Sequence, residues 1–376
     1  MTARKYATLI AVVQEHLAGR DADARALLAD LVERQLDAGG ADLQYYIFAS
    51  ALSRRLESDT REAINLYLRR FEQTQISLFN LLAQHLPTVS MAGPLANEVL
   101  ADYLAGHEEA TLLDVGIGSG RQEDALLRLM AARGTLPRRL NLIAVEPDAG
   151  SLLEASDTLG STARELGIDL RFHAVHGVAE ELSEGDWAWF GTLGAPMVVL
   201  GAFAVHHVRS ARGTEAREDL FRRLRALNPE AVVLCEPSSD HNAGGLMERF
   251  QAAWHHFGLT FRLIDSLELG DGEKAAMKMF FAREIDDIVA GGDDSRCERH
   301  EPVDAWVRRL SDAGFAPAPG LDAYQGGQNA GVSVRAHDGY LGLDYGDETL
   351  VAILCATSAV PARTVVRQEQ RKHQTA

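Results

Sequence analysis

From Tyr6 to about Gly106 the apolar residues recur at helical spacing, as in Leu9, Val12, Val13 and Leu17 and again in Leu27, Leu28, Leu31, Val32 and Leu36. That period predicts an all-helical stretch of about six helices, with breaks at Gly39, Gly40 and Pro87. At Thr111 the pattern changes. Short apolar runs at 111–115, 140–145, 170–175, 197–200 and 231–235 alternate with helical stretches, the βαβ rhythm of a parallel sheet covered by helices on both faces. A long helical stretch over 244–290 follows, interrupted by the charged segment around Gly270 to Lys274. A helix over 303–313 then precedes two late strands, 339–344 and 349–354, on either side of the turn-forming Gly346 and Asp347.

Composition narrows the class without changing this picture. With 46% apolar and 24% charged residues over 376 positions, the chain has the balance of an ordinary globular protein. The apolar run in 1–18 is broken by Gln14, Glu15 and His16 and predicts a helix rather than a leader. No run approaches the roughly 20 apolar residues of a membrane span. A net charge of -17 argues against direct nucleic-acid binding, and residues 361–376 read as a frayed tail. Three cysteines, Cys235, Cys297 and Cys355, with no C-x-x-C pair, fit a cytoplasmic protein and give no metal-ligand spacing, so no metal is expected.

The most informative run is Leu112-Leu113-Asp114-Val115-Gly116-Ile117-Gly118-Ser119-Gly120, an apolar strand that ends in an acid and a glycine-rich turn. Glycine permits close approach of backbone to a ligand, although glycines also make ordinary strand-to-helix turns. A dinucleotide fingerprint needs a glycine where Arg121 stands, so the spacing disfavours NAD. Five parallel strands followed by an antiparallel hairpin resemble the Rossmann-like sheet of S-adenosylmethionine (SAM) methyltransferases. On that resemblance Asp114 would accept the SAM ammonium. Glu146, with Pro147 beside it, would take the ribose hydroxyls. Val178 and Ala179 would meet the adenine, with Val178 standing where many such proteins carry an Asp. The fourth strand runs into Gly201, Ala202, Phe203, His206 and His207, and the fifth into Glu236, His241 and Asn242. Strand tips at this edge of an open sheet face a ligand crevice. Gly201 and Ala202 are therefore assigned to the cofactor. Glu236, His206 and His241 are candidate bases, each with a helix-capping or structural role as the alternative.

The chain also resembles the GRAS domain family, best known from plant transcriptional regulators, in the manner of a bacterial member. Asn97, Gly106-His107, the strand 110–114, Gly120 and Gln122 follow its pattern without a gap, as do Phe203-Ala204-Val205-His206 and Asn228-Pro229 through Asp240-His241-Asn242. Further matches are Arg283-Glu284-Ile285 and Glu298-Arg299-His300-Glu301 with Trp306. Plant members typically lose the glycines at 116 and 118, which this chain keeps. The family's fold implies a helical cap made of residues 1–92 and 244–302, packed on a core made of 93–243 and 303–360. Gln122 then joins the cofactor set, and Phe203, His207, Asn242, Arg283 and Asn97 are expected to line a substrate pocket. The resulting expectation is a SAM-dependent methyltransferase acting on a small-molecule acceptor, possible as a homodimer. The competing expectation is a non-catalytic SAM- or ligand-binding regulator of the GRAS type.

Overall fold

The computed structural model describes residues 2–37, 40–57, 81–194, 196–208, 215–242, 244–292 and 295–358. Its helices are α1 (Thr2–Leu17), α2 (Asp21–Asp30), α3 (Leu43–Arg55), α4 (Ala92–Leu104), α5 (Arg121–Arg133), α6 (Ala149–Leu166), α7 (Glu184–Phe190), α8 (Glu215–Ala226), α9 (Leu246–Ser266), α10 (Asp271–Ala290) and α11 (Val303–Asp312). The strands are β1 (Glu109–Val115), β2 (Arg139–Glu146), β3 (Asp169–His176), β4 (Met197–Ala202), β5 (Ala231–Pro237), β6 (Ala316–Pro317), β7 (Gln328–Asn329), β8 (Val332–His337), β9 (Tyr340–Tyr345) and β10 (Glu348–Thr357). Gly39, part of the expected helices between 58 and 80, and the tail beyond 358 lie outside the described residues.

The sheet runs β3-β2-β1-β4-β5-β10-β9-β8-β7. Its first five strands pair in parallel, and β10 joins β5 antiparallel. Side chains alternate between faces along a strand, and the core divides accordingly. Leu112, Leu142, Val198, Leu200 and Val233 belong to one buried cluster, while Leu113, Ile143, Val199, Val232 and Leu234 belong to the other. The inner strands are buried on both sides, which is why their sequence reads as continuous apolar runs rather than alternation. Edge strand β3 is more open.

The antiparallel end is larger than a hairpin. β8 pairs with β9, and two-residue strands β7 and β6 pair with β8 and β10. The alternation of Val332, Val334 and Ala336 carries β8, but it is short. Gly339, expected to start a strand, is the turn itself at φ +86°.

The amino-terminal helices pack on the long helices that follow β5. Trp254 of α9 receives the rings of Tyr6, Tyr45 and Phe48, and Phe48 also meets Phe250 edge-on. Arg55 donates to the carbonyls of Val289 and Gly291 at the end of α10, and Arg54 pairs with Asp286.

Candidate functional site

β1 lies between β2 and β4, so the chain reverses its direction of travel across the sheet at β1, and the carboxyl ends of these strands are where open sheets of this kind place a ligand crevice. Gly116, Gly118 and Gly120 all have positive φ there. Two of them are required by packing. A Cβ on Gly116 would stand 2.6 Å from Ala204 Cβ, and one on Gly120 would stand 3.1 Å from Ala155 and Leu159. Gly118 differs, because a Cβ on it would meet nothing within 4 Å. Its N–H donates to Glu146 Oε2 at 2.9 Å, while Asp148 N–H donates to Glu146 Oε1 at 2.9 Å, so the buried acid at the tip of β2 anchors the bend.

Asp114 is buried beside Glu123, an acid that the sequence did not single out. Burial, then the Glu123 and Glu146 charges, hold the Asp114 carboxyl well above the usual carboxylate range; burial also lifts Glu123. Asp114 Oδ2 and Glu123 Oε2 are buried without a hydrogen-bond donor. A proton shared between the two carboxyls serves both. Asn97 is taken up locally, since its side-chain N–H donates to the Gln122 carbonyl at 2.9 Å and its oxygen faces Gln122 Nε2 at 3.4 Å. On the β3 side Val178 is half-buried, Ala179 is buried, and the exposed Pro147 carbonyl accepts from His176 Nε2 at 3.0 Å.

Beyond β4 lies a second constellation. Gly201 has no room for a side chain, since a Cβ would press on Leu234 and Val205 at 3.1 Å. After the half-buried Ala202, Phe203 adopts φ +55° and donates its N–H to the Cys235 carbonyl at 2.8 Å. Left-handed backbone at a bulky residue stores strain, and here it turns the chain into a short 3₁₀ turn, Val205–His207. Buried Glu236 holds that turn, accepting Val205 N–H at 2.8 Å through Oε1 and facing His206 Nδ1 at 2.6 Å through Oε2.

On its other side His206 Nε2 is 3.3 Å from Glu298 Oε2, and His300 Nε2 lies 3.3 Å from the same oxygen. His207 Nε2 is 3.3 Å from Glu298 Oε1. His300 Nδ1 faces His241 Nδ1 at 2.9 Å, and His241 Nε2 faces Ser239 Oγ at 2.9 Å. Asp287 of α10 positions Glu298 by accepting the N–H groups of Cys297 and Glu298 at 2.8 and 2.7 Å. Asn242 instead donates to Glu301 at 2.7 Å, and Glu301 is clasped by Arg309 and Arg217. Arg283 is exposed on α10.

Charge in this cluster follows from burial and neighbours. Burial opposes a charge on His206, but Glu236 and Glu298 outweigh it and lift the imidazole to about 9. Burial and the Glu298 charge push Glu284 up to about 8. Burial would raise Glu298, yet the surrounding imidazoles of His206, His207 and His300 hold it below the usual carboxylate range. Burial and His300 keep His241 well below the ordinary imidazole value, and burial with His206 holds His300 at about 4.

The three candidate bases thus stand in one buried network. Glu284, Glu298 and His300 complete it and were not assigned to a site from the sequence. They carried no local signal, because His207 and Glu298 are 91 positions apart and are joined only by the fold.

The model for the "GRAS domain family" matches residues 6–340. The chain is 28% identical to "GRAS family protein RAD1" of Medicago truncatula over 79% of its own length and 59% of that protein. To "DELLA protein RGL3" of Arabidopsis thaliana it is 27% identical over 81% of its length and 60% of the relative. It therefore spans about three fifths of these curated relatives. The crystal structure of SCL7 of Oryza sativa superposes with a TM-score of 0.72 at 22% identity, covering 88% of this chain and 93% of that one, and shows the shared fold. The curated relatives are GRAS family and DELLA proteins, not methyltransferases, which overturns the expectation of a SAM-dependent methyltransferase and leaves a small-molecule substrate without support. They give the cytoplasmic placement no support either; among the described residues no helix is long and apolar enough to cross a membrane. A family match over nearly the whole chain, on the same fold, makes this protein a member of the GRAS domain family.

Proposed function

We propose that this chain is a non-catalytic interaction module of the GRAS type whose crevice at the end of β1 binds an adenosyl ligand of the SAM kind and answers to it. One observation carries the reading. The bend at 116–120 leaves the Cβ position of Gly118 open while its N–H binds the Glu146 carboxylate, and the strand that leads into it carries the buried Asp114. A cationic amine would take the place of the proton that Asp114 shares with Glu123, and each Glu146 oxygen keeps acceptor capacity beyond the single N–H it already takes. Such a ligand brings a fixed sulfonium charge to a corner of the sheet that carries three carboxyls, Asp114, Glu123 and Glu146. Those residues fit the group. The interaction role rests on the RAD1 and DELLA relatives.

Calorimetry of the purified chain tests this, with SAM, its demethylated counterpart and NAD as separate titrants. Saturable one-to-one binding of the first two and none of NAD is expected, with no methyl transfer on prolonged incubation. Absence of binding by both adenosyl compounds would overturn the proposal.

A further inference from the structure

The cluster beyond β4 has features that the adenosyl crevice does not use. Glu298 Oε2 is buried and has no hydrogen-bond partner among the described residues, although two imidazole nitrogens stand 3.3 Å from it. Neither meets it with hydrogen-bond geometry. Donor atoms of His206, His207 and Glu298 all lie within 4.8 Å of one another. Bonds of about 2.0–2.1 Å at tetrahedral angles put neighbouring donor atoms roughly 3.3–3.4 Å apart. Glu298 Oε2 stands 3.3 Å from His206 Nε2 and Glu298 Oε1 stands 3.3 Å from His207 Nε2, so the carboxylate reaches both imidazoles through its two oxygens.

The surroundings of His206 point the same way. Metal-bound imidazoles commonly give their second nitrogen's proton to a carboxylate, which fixes the ring and leaves the other lone pair for the ion. Glu236 stands 2.6 Å from His206 Nδ1 and is itself held by Val205 N–H. Asp287 fixes the backbone that carries Glu298. His207 is exposed, so one side of the triad opens to solvent.

We propose that His206, His207 and Glu298 bind a divalent first-row metal ion, of which zinc is the natural probe, as a two-histidine, one-carboxylate site with an open position. Three protein ligands and an accessible fourth position are the arrangement in which zinc retains a water. Without an ion the same geometry is an imidazolium set between two carboxylates, and that is the competing account. A neighbouring triad, Glu284, Glu298 and His300, shares Glu298 and gives the ion a second place to sit.

The test uses the full chain, stripped with a chelator and titrated with Zn²⁺ in a calorimeter, with Co²⁺ absorption as the readout of coordination. One equivalent per chain is expected, with the intense visible bands of a four-coordinate cobalt site. Glu298→Gln should abolish binding. His207→Ala, at an exposed position that leaves the fold intact, should weaken it by more than the roughly 10- to 100-fold expected for Glu236→Gln behind His206. The proposal falls if no saturable site exists, or if His207→Ala binds as wild type while Glu284→Gln does not. Gly118→Ala should leave zinc affinity unchanged, which separates this site from the adenosyl reading.

Discussion

Two buried acids on the strands that flank β4, Asp114 on β1 and Glu236 on β5, are handled in opposite ways. Glu236 faces a histidine that carries charge and takes a backbone N–H, so its own charge is matched. Asp114 faces a second acid, Glu123, and keeps its proton instead. Burial alone therefore does not fix the state of a carboxyl; the partner does. One region stores an ion pair, while the other stores a neutral hydrogen-bonded acid that a cation can claim.

The largest effect that separates them is on stability. Glu236→Gln leaves the buried His206 charge to Glu298 alone and should cost up to about 3–5 kcal/mol, the range for breaking a buried pair from one side. Urea denaturation followed by circular dichroism measures it. A loss below about 1 kcal/mol would mean that Glu236 is not matched to a cation and would remove half of the contrast.

Asp114→Asn should behave differently, and in a pH-dependent way. Because the folded carboxyl is raised above its ordinary value of 3.8, its contribution to stability is complete below that value. It is lost as pH climbs toward the folded pKa, by up to about 1.4 kcal/mol per pH unit. Asparagine does not ionise in either state. The variant should therefore gain on wild type between about pH 5 and pH 7, read as the difference in denaturation midpoints. A constant difference across that window would show Asp114 to be ionised in the fold.

Much of this arrangement was legible along the chain, for physical reasons that differ by region. The five parallel strands announced themselves because strands buried on both faces read as unbroken apolar runs. The bend at 116–120 is local, so Asp114, the glycines and Glu146 could be named from spacing. β8 was missed because its alternation spans only three positions. The two long helices after β5 were read, but the break lies at 267–270, and the charged residues 271–274 expected to interrupt the helix open α10 instead. What lay beyond reach was the second cluster as a unit: Glu298 and His300 match a family motif, but nothing in their own neighbourhood says that Asp287 and Arg296 carry them back to His206 and His241. The regulator reading was present only as the alternative. Retained glycines were given more weight toward chemistry than they bear, since Gly116 and Gly120 are explained by the packing of Ala204 and Ala155.

The smallest expected change is also the one that isolates the open side of the bend. Gly118→Ala introduces a methyl group into free space, so no clash arises and the cost is that of a left-handed residue, about 1–2 kcal/mol. Its N–H still reaches Glu146, so the anchor of the bend survives. If an adenosyl ligand lies over Gly118, that methyl occupies its place, and affinity should fall well beyond what the small loss of stability explains. An alanine variant that binds the ligand as wild type does would make the open space at Gly118 incidental. The bend would then be a structural turn, and the comparison with the charged cluster would reduce to one of packing.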